Sequence, residues 1–270
     1  MRGVLRDFFN KRNIEYFCVL DFSCLRVSSS AIMDREDFTP RSAIIYLLPY
    51  YTGECVNLSR YAASLDYHLA IREINEELID LIRERCPNAR AKGYGDHSPI
   101  DERDAALRGG LGILGDNGLL INEKYGTYIF IADVISDVDA ELLCASAPVE
   151  IRHCEGCGAC RLSCPTGVLR GESLDCLSAI TQKKGELSAS ETALMRKYNT
   201  AWGCDICQSA CPHNNAPRLT PVLFFYKDRI SELTTEILDG MDKRSFNLRA
   251  FAWRGRTTVK RNLGILEKKD

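Results

Sequence analysis

The chain has 270 residues and carries 35 Lys and Arg against 37 Asp and Glu, a formal net charge of −2. This balance excludes a polyanionic tail and a globally basic nucleic-acid-binding protein. With 45% hydrophobic and 27% charged residues, the composition is that of an ordinary globular protein and not of a disordered or collagen-like chain. The length suits one large domain or two modest ones.

The first part of the chain alternates between short apolar runs and helical periodicity. Strands are predicted at 17–22, 42–48 and 127–135, where the runs are bounded by polar residues, glycine or proline. A helix is predicted between Arg60 and Cys86, because apolar residues recur there at three- and four-residue steps with acids between them. The pattern predicts an α+β or α/β domain over residues 1–150.

Thirteen cysteines are an unusually high number, and eight of them lie between Cys154 and Cys211. The N-terminal residues include charges where a signal peptide needs an unbroken apolar stretch, and no apolar run approaches the about 20 residues that span a bilayer. We therefore expect a cytoplasmic protein without a membrane partner. In that compartment thiols stay reduced, and clustered cysteines bind metal more often than each other.

The spacing of the eight cysteines predicts iron–sulfur clusters. The segment HCEGCGACRLSCPTG, from residue 153, has the Cys-x-x-Cys-x-x-Cys-x-x-x-Cys-Pro order of bacterial ferredoxins, in which the last cysteine binds a second cluster. The later segment WGCDICQSACP adds three cysteines and a second Cys-Pro. Two 4Fe–4S clusters need eight thiolates, and Cys176 completes that number.

The crossed ferredoxin pattern divides these cysteines into two ligand sets. The first set is Cys154, Cys157, Cys160 and Cys211, and the second set is Cys164, Cys176, Cys204 and Cys207. A four-cysteine zinc site is the alternative, since it also uses Cys-x-x-Cys pairs. Zinc sites rarely run three ligands in one string before Cys-Pro, so the pattern favours two clusters. We expect this module to cover residues 151–217.

Several motifs in this order resemble the epoxyqueuosine reductases, over roughly residues 40–217. They are RYAASLDYH at 60–68, GDHSPIDER at 95–103, GGLGILGDNGLLI at 109–121, LDCLSAITQKKG at 174–185 and WGCDICQSACPHN at 202–214. The resemblance implies a cobalamin-binding α/β domain followed by a ferredoxin-like module with two 4Fe–4S clusters. It implies the reduction of epoxyqueuosine to queuosine in the anticodon loop of tRNA, the last step of queuosine biosynthesis, with electrons from an external donor that the sequence does not identify.

The resemblance also implies roles for individual residues. Asp96 matches the acid that protonates the leaving oxygen, and burial would keep such an acid protonated; a turn or helix N-cap is the alternative. The residues that would contact cobalamin are Arg60, Tyr61, Asp96, Gly112, Asn117, Leu120 and Ser178. The alternatives are an ion pair of Arg60 with an acid such as Glu54, packing of the 109–118 glycines against the following strand, and a helix-surface hydroxyl at Ser178.

The chain departs from the family pattern at two positions and in its expected length. Asp116 and Ile113 stand where the family usually has lysine and tryptophan. Many members continue into a helical-repeat domain that helps to bind RNA, and we expect this chain to be a short form that lacks it. RNA binding would then depend on the cluster module and on a helical, basic segment at 218–270.

The basic segment carries nine Lys and Arg against one acid between Lys243 and Lys269, a net charge of +8. We interpret it as an RNA surface in which cations neutralise phosphates and an aromatic ring stacks on a base; a solvated helix face is the alternative. The basic residues are Lys243, Arg244, Arg249, Arg254, Arg256, Lys260 and Arg261, and the interleaved aromatic residues are Phe246, Phe251 and Trp253.

Two other functions are compatible with the cysteine pattern. One is an electron-transfer iron–sulfur protein that reductively activates partner corrinoid proteins, and the other is a different corrinoid-dependent reductase. The first 150 residues favour an enzyme, because an electron carrier needs no such preceding domain.

Overall fold

The computed structural model describes residues 1–268 and divides the chain into two compact units. The sheet unit comprises residues 1–49 and 68–156, and the cysteine unit comprises residues 50–67 and the chain from Cys157 onward. Segment 50–67 belongs to the cysteine unit because Asn57 exchanges two hydrogen bonds with the backbone of Leu233, at 2.8 and 2.9 Å. The three-part division at residues 150 and 217 stays a prediction.

The sheet unit contains all strands that the structure describes. They are β1 (Phe17–Asp21), β2 (Ser42–Pro49), β3 (Ala91–Gly95), β4 (Ile113–Leu114), β5 (Leu120–Ile121) and β6 (Ile129–Ser136). The main sheet has the order β1-β2-β6-β3 with antiparallel pairing throughout, and β4 and β5 form a separate antiparallel pair. The fold class is therefore α+β, and the three predicted strands are confirmed with shifts of one or two residues at their ends.

Four helices pack around this sheet or extend from it. They are α1 (Arg2–Asn10), α2 (Ser30–Met33), α3 (Tyr67–Arg85) and α4 (Glu102–Arg108). Strand β2 is buried along its whole length, as its uninterrupted apolar sequence predicts. Helix α4 packs on β2 and β6 through Ala105, Ala106 and Leu107, which are buried in the same core as Ile45. This packing fixes the loop between β3 and α4, which carries Asp96.

The predicted helix between Arg60 and Cys86 begins later than expected. Residues Arg60–Ala62 form a 3₁₀ turn, and α3 begins only at Tyr67. The intervening backbone bonds to distant segments of the cysteine unit: the Ala63 carbonyl accepts from the Ile230 N–H at 2.7 Å, and the Asp66 N–H donates to the carbonyl of Leu248 at 2.8 Å. These long-range hydrogen bonds replace the helical ones that the local pattern favours.

The cysteine unit is built from short helices and loops around two small apolar cores. Its helices are α5 (Ala159–Ser163), α6 (Leu177–Thr181), α7 (Ala189–Lys197), α8 (Ile206–Ser209), α9 (Thr235–Gly240), α10 (Lys243–Asn247) and α11 (Arg256–Glu267). The larger core surrounds the fully buried Trp202 and Phe251. Among the described residues, no helix has the length and apolar character needed to cross a membrane.

Candidate functional site

The loops that carry the cysteines need glycine for conformational reasons. Gly156 and Gly158, which flank Cys157, have φ values of +64° and +75°, a backbone region that residues with a side chain rarely adopt. A Cβ atom at either position would meet nothing within 4 Å, so the requirement lies in the backbone conformation and not in packing. Gly158 precedes α5, which carries Cys160.

Helices α5 and α8 pack against each other and bring cysteines from the two motifs together. Burial raises the pKa of Cys207 to about 11, and the nearby charges of Cys176, Cys164 and Cys160 add to this effect. Burial also raises the pKa of Cys204, to about 12, with further contributions from Cys176 and Cys207. All members of the second predicted ligand set thus lie within electrostatic range of Cys207 or Cys204, and so does Cys160 of the first set.

Cys164 has the surroundings of a thiolate ligand. Burial alone would raise its pKa, but the backbone N–H groups of Leu169, Thr166 and Gly167 and the Thr166 hydroxyl bond to the sulfur, and the net effect is a lowered pKa. The Thr166 hydroxyl lies 3.8 Å from Sγ. Hydrogen bonds to sulfur stabilise the ionised form and tune the potential of iron–sulfur centres.

The cysteines of the first predicted ligand set differ in their burial and in the unit to which they belong. Cys160 and Cys211 are buried, whereas Cys157 is exposed. Cys154 lies in the sheet unit, where its sulfur accepts a hydrogen bond from the backbone N–H of Asp116 at 3.3 Å. Within residues 1–268, no three His, Cys, Asp or Glu side chains converge closely enough to hold one metal ion. Ligation by either set stays a prediction.

Asp205, between two of the predicted ligands, anchors the second cysteine loop. It is buried, and its carboxylate accepts hydrogen bonds from the Ser59 hydroxyl at 2.5 Å, the Arg60 backbone N–H at 2.7 Å and Gln208 Nε2 at 2.9 Å. The Arg60 guanidinium forms ion pairs with both Asp205 and Glu54. The ion pair with Glu54 is therefore present, and a cofactor contact of Arg60 stays a prediction. The sequence pattern did not single out Asp205.

The other two cofactor candidates of the cysteine unit also have partners in the structure. The Tyr61 hydroxyl accepts a hydrogen bond from Trp202 Nε1 at 2.9 Å. Ser178 lies in the first turn of α6, and its hydroxyl accepts from Gln182 Nε2 at 3.1 Å, as a helix-surface hydroxyl does. These hydrogen bonds do not test whether Tyr61 or Ser178 contacts cobalamin, and both contacts stay predictions.

Asp96 lies in the sheet unit, on the loop after β3, with a φ of +70° that is strained for a residue with a side chain. Its carboxylate lies 3.7 Å from His68 Nε2 and is half exposed, so this structure does not show the burial that would keep such an acid protonated. The alternative role as a helix N-cap is wrong, because α4 is capped by Asp101, whose carboxylate accepts from the Asp104 N–H at 3.0 Å. The alternative of a turn residue agrees with the bend at Asp96. The loop therefore presents Asp96 outward in a constrained conformation.

The three remaining candidates for a cofactor contact lie in the glycine-rich β4–β5 hairpin and differ in their surroundings. A Cβ atom on Gly112 would lie 2.4 Å from the carbonyl oxygen of Ile121, so packing against the following strand accounts for this glycine. Leu120 is buried in the core of the sheet unit. Asn117 differs: its Oδ1 accepts from the Leu119 N–H at 3.2 Å, but its buried Nδ2 has no hydrogen-bond partner among residues 1–268. This donor therefore lacks an acceptor.

Gly112→Ala is expected to lower the free energy of unfolding of the cofactor-free protein by about 1–3 kcal/mol, because the added methyl overpacks the strand pair. Gly264→Ala is the matched control. Gly264 lies inside α11 with open space around it, so alanine there is expected to stabilise by about 0.5–1 kcal/mol. Chemical denaturation measures both, and an unchanged midpoint for Gly112→Ala would refute the packing account.

The basic C-terminal segment differs from the predicted RNA surface. Phe246 and Phe251 are buried in the core, so neither can be the aromatic ring that stacks on a base. Three of the arginines serve the fold by donating to backbone carbonyls: Arg249 to Asp228, Arg256 to Leu238 and Met241, and Arg261 to Lys183 and Gly185. Trp253 is 59% exposed, and the Arg254 guanidinium stacks 3.8 Å from its ring centre.

Comparison with known proteins locates the chain among characterised sequences. A family described as a 4Fe-4S double cluster binding domain matches residues 153–214. An epoxyqueuosine reductase of Leadbetterella byssophila is 30% identical over 221 residues, which cover 76% of this chain and 71% of the relative. An epoxyqueuosine reductase of Bacillus cereus is 31% identical over 207 residues, or 73% of this chain; the match spans about half of that relative's length, 53%.

Solved structures show the same fold. A selenomethionine-labelled epoxyqueuosine reductase has a TM-score of 0.79 and 21% identity, with 98% of this chain and 80% of that chain covered. An epoxyqueuosine reductase bound to an epoxyqueuosine-modified tRNA stem loop has a TM-score of 0.77 at 21% identity, with the same coverage. At these identities the likeness establishes the fold.

Proposed function

We propose that this chain, which belongs to the epoxyqueuosine reductase family, reduces epoxyqueuosine to queuosine in tRNA. The observation that carries the proposal is the match to a relative of that name over 71% of the relative's length, together with a matching double-cluster domain. The net reaction takes up two electrons and two protons, forms an alkene from the epoxide and releases the oxygen as water. We place this activity in the cytoplasm.

We assign the electron path to two 4Fe–4S clusters with the ligand sets given above. The electrostatic coupling of Cys207 with Cys176 and Cys164 and the N–H bonds to Cys164 support the second set. The electrons enter from an external donor.

We assign cobalamin as the second cofactor, with Asn117 as its best-supported contact. When bound, it supplies a strongly reducing metal centre for the epoxide, chemistry that side chains lack. The buried Asn117 Nδ2 fits the carbonyl of a corrin side-chain amide, since an unsatisfied buried donor costs about 1–3 kcal/mol. Arg60, Tyr61, Gly112, Leu120 and Ser178 remain further proposed contacts.

Asp96 is proposed as the general acid. Ring opening leaves an alkoxide, a poor leaving group, and the Asp96 carboxyl gives it the first of the two protons in the net reaction. The second proton, taken up from solvent, lets the oxygen depart as water. The half-exposed position of the side chain allows a bound nucleoside to reach it, while the constrained backbone limits its orientations.

The tRNA surface is proposed to include the exposed Lys243, Arg244 and Trp253, with Arg254 stacked on the tryptophan. Trp253→Ala is expected to weaken tRNA binding by about 1–3 kcal/mol through the loss of base stacking. Replacing Lys243 and Arg244 together by alanine should reduce the slope of log affinity against log salt by about 2. Filter binding at several salt concentrations measures both effects.

Arg6→Ala is the control for these variants, because Arg6 is exposed on α1 of the sheet unit and is not part of the proposed surface. Its affinity and salt dependence should equal those of the wild type. Unchanged binding by both the Trp253 variant and the double variant would remove this surface from the account.

Cobalamin binding separates the proposed reductase from an electron carrier that serves other corrinoid proteins. The protein, reconstituted anaerobically with iron and sulfide, is titrated with cobalamin and followed by visible and electron paramagnetic resonance spectra. A saturable cobalt signal that shifts on adding modified tRNA supports the reductase. Loaded clusters without cobalamin binding would favour the carrier.

A further inference from the structure

Two acidic side chains lie buried behind the loop that carries Asp96. Asp133 is fully buried in the middle of β6, where its backbone pairs with Ile45 on one side and Tyr94 on the other. Glu102 is the first residue of α4 and is partly buried. Among residues 1–268, neither carboxyl forms an ion pair with lysine, arginine or histidine. A buried acid without a cation is costly when ionised.

The two carboxyls hold the loop from both ends. The backbone N–H of Asp96 donates to Glu102 Oε1 at 3.2 Å, and the hydroxyl of Ser98 donates to Asp133 Oδ2 at 3.1 Å. Ser98 Oγ also accepts from the Ile100 N–H at 3.3 Å, which ties the hydroxyl to the start of the next segment. The strained φ of Asp96 is thus stabilised by bonds to the pair.

The surroundings of the two carboxyls favour a shared proton. The carboxyls of Glu102 and Asp133 are close enough to affect each other's charge, and two carboxylates offer only hydrogen-bond acceptors. Asp133 Oδ1 is buried and has no hydrogen-bond donor among the described residues. A proton on Glu102 supplies that donor and removes the repulsion between two like charges.

The electrostatics agree with a shared proton. Burial raises the pKa of Glu102 to about 9, and the negative charges of Asp133 and Asp96 add to the shift. Burial also raises the pKa of Asp133, against the lowering effect of its bonds from Ser98 and Glu102. At neutral pH the pair therefore retains one proton.

The other ionisable groups around the pair are engaged elsewhere. On β3, the Tyr94 hydroxyl donates to Glu36 Oε1 at 2.8 Å, and on β2 the Tyr46 hydroxyl donates to Asn75 Oδ1 at 2.9 Å. His68, on α3, lies beside the Asp96 carboxylate at 3.7 Å.

We propose that Glu102 and Asp133, which share one proton, are positioning residues that hold the Asp96 loop in its left-handed turn for proton transfer. The catalytic part of this inference rests on the proposed function, whereas the structural part does not. Ionisation of both carboxyls would place like charges together in the core and loosen the loop.

The test compares Glu102→Gln with Glu102→Ala. Glutamine keeps an acceptor for the Asp96 N–H and gives Asp133 an amide donor without an ionisable proton, whereas alanine removes both bonds. Glu102→Ala should lower kcat by about ten- to a hundredfold with KM for tRNA unchanged, because the acid is misplaced while the RNA contacts remain. Glu102→Gln should restore kcat to within a few-fold of the wild type.

Amide hydrogen exchange provides a readout independent of turnover. At neutral pH the Asp96–Ser98 segment should exchange faster in Glu102→Ala than in the wild type, and at the wild-type rate in Glu102→Gln. Glu36→Gln is the control, since it changes a neighbouring carboxyl that accepts from Tyr94 and not from the loop. If the wild type lacks turnover, the proposed function fails and the exchange rates still decide the structural part.

The pH dependence of stability gives a third readout. The folded protein binds the Glu102 proton more tightly than the unfolded chain does, so its stability falls as pH rises from about 4.5 to about 9. Glu102→Gln cannot lose this proton, and its melting temperature should exceed that of the wild type by a margin that grows across this range. A difference in melting temperature that stays constant with pH would overturn the proposal, and so would equal amide exchange of the Asp96–Ser98 segment in all variants. If Glu102→Ala does not fold, the difference in melting temperature between Glu102→Gln and the wild type decides.

Discussion

Asp96→Asn is expected to lower the rate of epoxyqueuosine reduction by about two to four orders of magnitude, the usual contribution of a general acid. Asparagine has nearly the same shape and keeps the backbone N–H that donates to Glu102. It cannot transfer a proton to the alkoxide. Clusters and cobalamin should remain bound, because neither the predicted cluster ligands nor Asn117 is altered.

Single-turnover kinetics under anaerobic conditions measure this effect, with queuosine in digested tRNA quantified by mass spectrometry. Asp101→Asn is a close control, since Asp101 caps α4 five residues further on and asparagine is also a good N-cap. It should retain turnover within a few-fold. If Asp96→Asn turns over like the wild type while loaded with both cofactors, Asp96 has no role in proton transfer.

Cys176→Ser is expected to reduce the iron content from about eight to about four atoms per chain and to abolish turnover, because the second cluster loses a thiolate. Cys176 is the most informative ligand to change, since it lies outside both cysteine strings and was assigned by ligand counting. Its charge acts on both Cys204 and Cys207, which supports the assignment.

Cys144→Ser is the control for this variant, because Cys144 is exposed and outside the eight predicted ligands. It should keep the full iron content and the wild-type spectrum. Iron analysis combined with electron paramagnetic resonance of the reduced protein distinguishes one cluster from two. A fully loaded Cys176→Ser variant would exclude Cys176 from the ligand set.

Local patterns in the sequence predicted those features that depend on local chemistry. The runs at 17–22 and 42–48 form strands because their apolar side chains must be buried on the sheet. The ferredoxin-like spacing is informative by itself, since one short string of closely spaced cysteines supplies three ligands of one cluster. The matched double-cluster domain at 153–214 agrees with that spacing.

The features that the sequence did not predict depend on distant parts of the chain. Glu102 and Asp133 are 31 positions apart and meet only because α4 packs on β6. Residues 60–66 have a helical pattern, but backbone groups of Ala63 and Asp66 bond to those of Ile230 and Leu248. Phe246 and Phe251 stand in a basic stretch, yet the core of the cysteine unit needs their apolar area. Residue spacing alone does not encode such pairings.

The most direct test of the proposed activity is the conversion of epoxyqueuosine in isolated tRNA. The reconstituted protein, with cobalamin and a chemical reductant under anaerobic conditions, is incubated with epoxyqueuosine-containing tRNA, and the nucleosides are analysed by mass spectrometry. Queuosine formed in an amount that exceeds the enzyme, and lost on omitting cobalamin, is the predicted result. No queuosine from protein with fully loaded and reducible clusters would contradict the account and indicate an electron carrier.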